Sequence, residues 1–317
     1  MIESQEPPMI IDAHAHIFPT VAGITRRGPT RSLSFGRIQW GSDTHRMMPP
    51  SNADTSFPPE MLLQHMDVAG VDKAVLMQGS FYGTPNDYVA QAVRRWPDRF
   101  TGAAYIDPRA LDAHQTFARC VDEYGFRLLK FEMSVDYGFT GRYPDLKLDS
   151  PEMAWIWAAA AERNLTVALD LGNVGTVAYQ TAEVERIIAR HPMLKIVICH
   201  LATPPVGTGD DQRLDALWQA QIRLGNAPRV WFDLSALPAF CARFEDYPYP
   251  TAQRYVKRAI EMIGADKLMW GTDAPSVLLH ANYQHLLRWV SEHCTFLTGP
   301  ARAKVLGETA LRVYFGG

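Results

Sequence analysis

Eight short, apolar, β-rich runs recur along the chain, each followed by a segment with apolar residues at helical spacing. The runs are Met9–Ile17, Lys73–Gly79, Phe100–Asp107, Phe126–Met133, Leu165–Gly172, Lys195–Ala202, Arg229–Ala236 and Leu268–Ala274. Several, such as KIVICHLA and LTVALDLG, are almost continuously apolar. That pattern suits parallel strands covered on both faces, because a half-exposed strand alternates instead. The helical patterns fall at Pro59–Ala69, Asn86–Trp96, Arg109–Tyr124, Pro151–Arg163, Thr181–Arg190, Asp211–Leu224, Thr251–Ile263 and Tyr283–His293. Asn86, Ser150 before Pro151, and Pro250 are helix-entry signals. No glycine-rich dinucleotide fingerprint follows the first strand. The expectation is therefore an α/β fold of the closed (β/α)8 TIM-barrel kind, not a doubly wound open sheet. A ninth helix, about 300–314, would close the bottom or side.

A single barrel accounts for all of residues 1–317, since such folds routinely run this long as one domain. A net charge of -3 lacks the basic excess of a nucleic-acid binder. No apolar run reaches the roughly 18–20 residues of a membrane span. The N-terminal MIESQEPPM is acidic and lacks the apolar core of a leader, so a cytoplasmic protein is expected. Cys120, Cys199, Cys241 and Cys294 form no CxxC pair, and three of them lie in apolar or helical surroundings and read as buried small hydrophobes in a reducing compartment.

One stretch breaks the rhythm. Residues from about 18 to 58 are rich in Pro, Gly, Ser, Thr and Arg and show no convincing periodicity. A loop of this length inside a compact domain is usually functional or disordered. Trp40, Phe35 and Phe57 argue for a lid or substrate-binding loop over a disordered insertion. Arg26, Arg27, Arg31, Arg37 and Arg46 crowd it, and arginine captures carboxylates in a bidentate grip. A small anionic organic substrate is expected, with Arg37, Arg46, Tyr82 and Lys130 as candidate contacts. Trp40, Phe81, Tyr82 and Trp231 would supply flat walls for a ring, unless they belong to the core.

The strongest chemical signal is Asp12-Ala13-His14-Ala15-His16 at the end of the first strand. Strand residues two apart face the same side, so His14 and His16 would project together into the barrel. Two imidazoles on one face can bind one metal ion. His200 ends the sixth strand and Asp273 the eighth. Ionisable residues at C-terminal strand ends converge where barrel enzymes do their chemistry, and strands one and eight are neighbours in a closed barrel.

The segments IIDAHAHIF, HPMLKIVICHLATPP and IGADKLMWGTDAP resemble the signature segments of the amidohydrolase superfamily, and ARAKVLGETALRVYFG resembles its closing helix. More narrowly they are similar to the branch that holds aminocarboxymuconate semialdehyde decarboxylase, resorcylate-type decarboxylases and pyrone dicarboxylate lactonase. The resemblance implies that His14 and His16 are a metal pair. It implies that Asp273 touches the metal and shuttles a proton, and that His200 activates water or polarises the substrate. The chain departs from the pattern at strand five, where Asp170 stands in the place of a histidine. Either Asp170 is an oxygen ligand, with zinc or manganese as the divalent metal, or the metal is weak or absent, as in the metal-independent lactonases. Lys130 on strand four stands where some relatives carry a carbamylated lysine. The other reading is a lysine paired with Glu132 or Asp170.

These readings lead to a hydrolase acting on a small cyclic or aromatic carboxylate, a lactone or a related C–O or C–N bond, with Asp273 as general base and His200 stabilising the oxyanion. The alternatives are a non-oxidative decarboxylase of an aromatic or unsaturated acid, a metal-independent lactonase, and a catalytically dead barrel that only binds. A homodimer or larger assembly is also expected.

Overall fold

The computed structural model describes residues 8–50 and 53–316. Most of the acidic N-terminal stretch read above lies outside the described residues. In chain order the chain forms β1 (Ile11–Ala15), then four short strands, β2 (Ile24–Thr25), β3 (Gly28–Ser32), β4 (Arg37–Trp40) and β5 (Asp43–Arg46). Next come α1 (Pro59–Ala69), β6 (Lys73–Leu76), α2 (Asn86–Arg95), β7 (Phe100–Tyr105), α3 (Ala113–Ala118) and β8 (Leu128–Glu132). They are followed by α4 (Phe139–Arg142), α5 (Pro151–Glu162), β9 (Thr166–Asp170), α6 (Thr181–Arg190), β10 (Lys195–Ile198) and α7 (Gln212–Arg223). The remainder is β11 (Val230–Asp233), α8 (Leu237–Cys241), α9 (Pro250–Ile263), β12 (Leu268–Met269), α10 (Tyr283–Ser291) and α11 (Gly299–Ala303). The helices begin where their caps stand. Ser150 is extended before Pro151, and the side chain of Asp211 accepts from the Arg213 and Leu214 amides.

Eight parallel strands run in the order β1-β6-β7-β8-β9-β10-β11-β12. The barrel closes beyond the short β12, where the Asp273 amide donates to His14 O at 2.7 Å and the His16 amide to Ala274 O at 2.8 Å. This is a (β/α)8 barrel. Ile11, Ala13, Val75, Met77, Ala103, Leu128, Ala168 and Val197 fill its interior. Val313 and Tyr314 join that cluster, so the C-terminal segment after α11 plugs the lower end. The larger apolar cluster lies between the barrel and its helices. Among the described residues, no helix is long and apolar enough to cross a membrane.

The first loop, in which the sequence showed no periodicity, is ordered secondary structure. It is an antiparallel sheet in the order β2-β3-β4-β5, with an antiparallel bridge of Phe18 and Phe57 at its root. Its strands are only two to five residues long and rich in Thr and Arg, which is why no alternation showed. The sheet is fastened to the C-terminal side of the barrel. The Ala22 and Ile24 amides donate to Tyr82 O and Ser80 O at 3.2 and 3.1 Å, and Thr30 Oγ1 donates to Phe81 O at 2.7 Å.

Candidate active site

The strand pairing of β1 shifts between Asp12 and Ala15. Without that irregularity Asp12, His14 and His16 would share one face. With it, Asp12 turns outward, where Thr272 Oγ1 and Tyr283 Oη each donate to Oδ2 at 2.6 Å. His14 and His16 remain inside. Bulges of this kind re-aim side chains beside active sites. The residues from His200 to Thr203 then adopt four consecutive left-handed conformations (φ 58, 48, 55 and 43°), and Asp273 has φ 68°. Such backbone costs of order 1–3 kcal/mol per residue and clusters at sites that need a fixed side-chain direction.

At the mouth, His16 Nε2 lies 3.0 Å and His14 Nε2 3.7 Å from Asp273 Oδ1. Both rings are fixed from behind: His14 Nδ1 lies 3.1 Å from Asp233 Oδ2, and His16 Nδ1 lies 2.9 Å from Met77 O. A carbonyl and a carboxylate only accept, so each Nδ1 carries the proton. Burial, then the charge of Lys130, pushes the His14 imidazolium down to about 4, so His14 is neutral and its Nε2 bears a lone pair. That Nε2 is buried without a hydrogen-bond partner. Two imidazole nitrogens and a carboxylate oxygen within 4.8 Å of one another make a group that could hold a metal ion. The orphaned nitrogen and the hydrogen bonds behind both rings are what a bound cation requires.

His200 occupies a second cluster. Its Nε2 lies 3.3 Å from Asp170 Oδ2 and its Nδ1 2.8 Å from Ser235 Oγ, whose proton goes to Asp233. Against the effect of burial, Asp170, Asp273 and Asp233 push the His200 imidazolium up to about 9. Against its own burial, Asp170 is held far below the usual carboxylate range by His200 and Lys130. Asp170 therefore pairs with His200, not with the His14, His16 and Asp273 cluster expected to share it.

Lys130 is sealed inside the barrel at 2% exposure, with Nζ 3.6 Å from Cys199 Sγ. The nearby charges of Asp170, Glu132 and Asp233 keep it protonated despite its burial. Its place beneath the site is that of a counter-charge, out of reach of a substrate. Tyr82 lies at the mouth, its ring 4.6 Å from that of His16 and 5.0 Å from that of Phe18. Arg37 and Arg46 are exposed and donate to the loop's own carbonyls, Ser34 O at 3.2 Å and Phe35 O at 2.9 Å. The structure does not bring them to the site. Arg27 lies 4.2 Å over Trp40, which stacks on Tyr137 at 4.9 Å. Trp231, expected as a wall, lines a depression of about 400 Å³ with Lys195 and Lys267 at the opposite end of the barrel.

Sequence reasoning missed Asp233, Ser235 and the site role of Glu132. Asp233 closes β11 and Glu132 closes β8, so the strand-end rule that selected His200 and Asp273 applied to both. Ser235 carried no comparable signal.

A family model described as amidohydrolase matches residues 11–316. An L-fucono-1,5-lactonase of Burkholderia ambifaria is 36% identical over 132 residues, which is 39% of this chain and 43% of that protein. The match thus spans under half of the relative's length. Among solved structures, a putative 2-pyrone-4,6-dicarboxylic acid hydrolase of Pseudomonas putida superposes with a TM-score of 0.69 at 20% identity, covering 98% of this chain and 99% of that one. An amidohydrolase of Burkholderia multivorans with bound zinc superposes with a TM-score of 0.65 at 21% identity, covering 82% and 89%. At these identities the two structures share the fold.

Proposed function

The chain belongs to the amidohydrolase family, and from that premise we propose that it hydrolyses a small lactone at the mouth of the barrel. The convergence of His14 Nε2, His16 Nε2 and Asp273 Oδ1, with the first nitrogen buried and unpartnered, carries the reading. The similarity to an L-fucono-1,5-lactonase over 39% of the chain supports ring opening over decarboxylation. A divalent cation, zinc or else manganese, would be held by these three groups and would supply Lewis acidity at neutral pH. Asp273 lies below the usual carboxylate range because His16, His200 and His14 outweigh its burial. It is therefore ionised and accepts the proton of the attacking water. His200 is cationic and faces the same space, so it steadies the negative charge that grows on the carbonyl oxygen. Tyr82 offers a ring face beside His16. An anionic substituent would meet Arg27 and Arg243 at the rim, since both act on the Tyr137 hydroxyl there.

The test is a panel of five- and six-membered lactones, with proton release and carbon dioxide followed together. Proton release without carbon dioxide is expected. Carbon dioxide from an aromatic or unsaturated acid, with every lactone untouched, would transfer the site to the decarboxylase reading.

A further inference from the structure

Below the apolar interior, at the end of the barrel away from His14, His16 and Asp273, lies the depression of about 400 Å³ that Trp231 lines. That is the size of a small-molecule site, and it gathers positive charge. Val197 of β10 and Trp231 of β11 point into the barrel. Lys195 and Arg229 stand two residues before them and share their face. Ile196 pairs with Val230, which sets Lys195 beside Arg229. Lys267, ahead of β12, has its Nζ 5.4 Å from the Trp231 ring, and Arg312 comes from the C-terminal plug. Asp266 is the one carboxylate among the described residues that line the depression.

The four cations are not equally committed to the fold. Lys267 Nζ donates to Ala227 O, Pro228 O and Val230 O at 2.7, 3.1 and 3.3 Å, so its three protons are used. Arg229 and Arg312 each spend one terminal nitrogen on a carbonyl, Met193 O at 3.2 Å and Asp266 O at 3.3 Å. The rest of each guanidinium has no acceptor among the described residues. Lys195 spends nothing: among the described residues no acceptor and no carboxylate reaches its Nζ. It is half-buried all the same, and burial together with the Arg229 charge lowers its pKa. A lysine that served only the fold would be paired or would reach into solvent, since like charges brought together out of water disfavour the charged form.

We propose that this depression binds a small organic phosphate monoester, its phosphate held by Lys195, Arg229 and Arg312 and its organic part against Trp231. The donors arrive from three separate elements, β10, the start of β11 and the C-terminal plug. A tetrahedral phosphate offers three terminal oxygens, one for each, whereas a carboxylate offers two in one plane and suits a single arginine fork. The phosphate also carries a charge of about -1.5 to -2 at neutral pH, enough to offset the crowded cations. The site is independent of the reaction at the mouth, and the proposal stands whichever substrate that mouth accepts.

The test is calorimetric titration of the full-length protein with ribose 5-phosphate, beside ribose and succinate. Ribose 5-phosphate should bind once per chain, ribose not at all, and succinate more weakly. Lys195→Gln and Arg229→Gln should each weaken the phosphate probe about tenfold or more, through loss of a charge-assisted hydrogen bond. A second readout separates this role from a structural one. In low-salt buffer without phosphate, Lys195→Gln should melt about 1 °C or more above the wild type, because an uncompensated charge is gone. Ribose 5-phosphate should raise the melting temperature of the wild type more than that of the variant. No binding at about 10 mM probe, binding that neither substitution weakens, or succinate bound as tightly as ribose 5-phosphate would each overturn the proposal. So would a lower melting temperature for Lys195→Gln without phosphate, which would make the lysine part of the fold.

Discussion

At the scale of single residues, each catalytic group is held by a partner that sets its protonation. Asp233 takes the Nδ1 proton of His14 and the backbone amide of His200, at 3.1 and 2.9 Å, so it orients both clusters. Asp233→Asn should weaken zinc affinity about 10- to 100-fold, as measured by competition with a chromophoric chelator. Unchanged affinity would remove Asp233 from the site. Asp273→Asn retains the side chain's shape but loses the base. Its kcat for lactone opening should fall about 10²- to 10⁴-fold in steady-state assays, and a fall under tenfold would assign the base elsewhere. His14, His16, His200 and Asp273 stood out in the sequence through the HxH spacing, their strand-end positions and the resemblance of their segments to amidohydrolase signatures, and strand-end position alone would have marked Asp233 and Glu132 as well. What lay beyond reach was partnership. The charge of Asp170 is claimed by His200 at 3.3 Å, and a pairing between strands five and six cannot be read from either strand.

At the scale of elements, the alternation of strands and helices was legible to within a few residues, since continuous apolar runs require covered parallel strands. The insertion was not, because a half-exposed antiparallel sheet with arginine and threonine in two- to five-residue strands leaves no periodic trace. It joins the barrel through aromatic contacts. His65 of α1 lies 5.9 Å from Phe57 at the root of the insertion and 5.7 Å from Tyr283 of α10. Burial lowers the His65 pKa below its ordinary value. A histidine depressed in the folded state contributes stability above its unfolded pKa, about 6.5, and loses that contribution as the pH falls through the folded value. His65→Phe keeps the ring and removes the titration. Urea denaturation at pH 7.5 and pH 5 should therefore show a smaller acid-side loss in the variant than in the wild type. An equal loss would mean that His65 is not desolvated. At the other edge, Trp40 stacks on Tyr137 and carries Arg27 above it. Trp40→Ala should raise KM for the preferred lactone several-fold with kcat changed less, because the wall positions the ring and touches no reacting atom. A loss confined to kcat would contradict that role.

At the scale of the whole molecule, the barrel keeps its apolar interior at one end and its charges at the other. The interior cluster runs from Ile11 to Tyr314, and above it stand Lys130, Glu132, Asp170, Asp233, His200, His14, His16 and Asp273 on inward positions at the strand ends. Closure of the ring by the hydrogen bonds between His14, His16 and the Asp273–Ala274 segment is what makes the first and last strands share one site. This shared site, built by His14, His16 and Asp273, is proposed to hold one divalent cation on which lactone hydrolysis depends. The direct measurement is metal content per chain by elemental analysis, taken with the lactonase rate, before chelation, after chelation and after return of zinc. One metal per chain is expected, with loss of metal and rate together on chelation, recovery of both with zinc, and neither in His14→Ala. Full turnover by protein shown to contain no metal would contradict it.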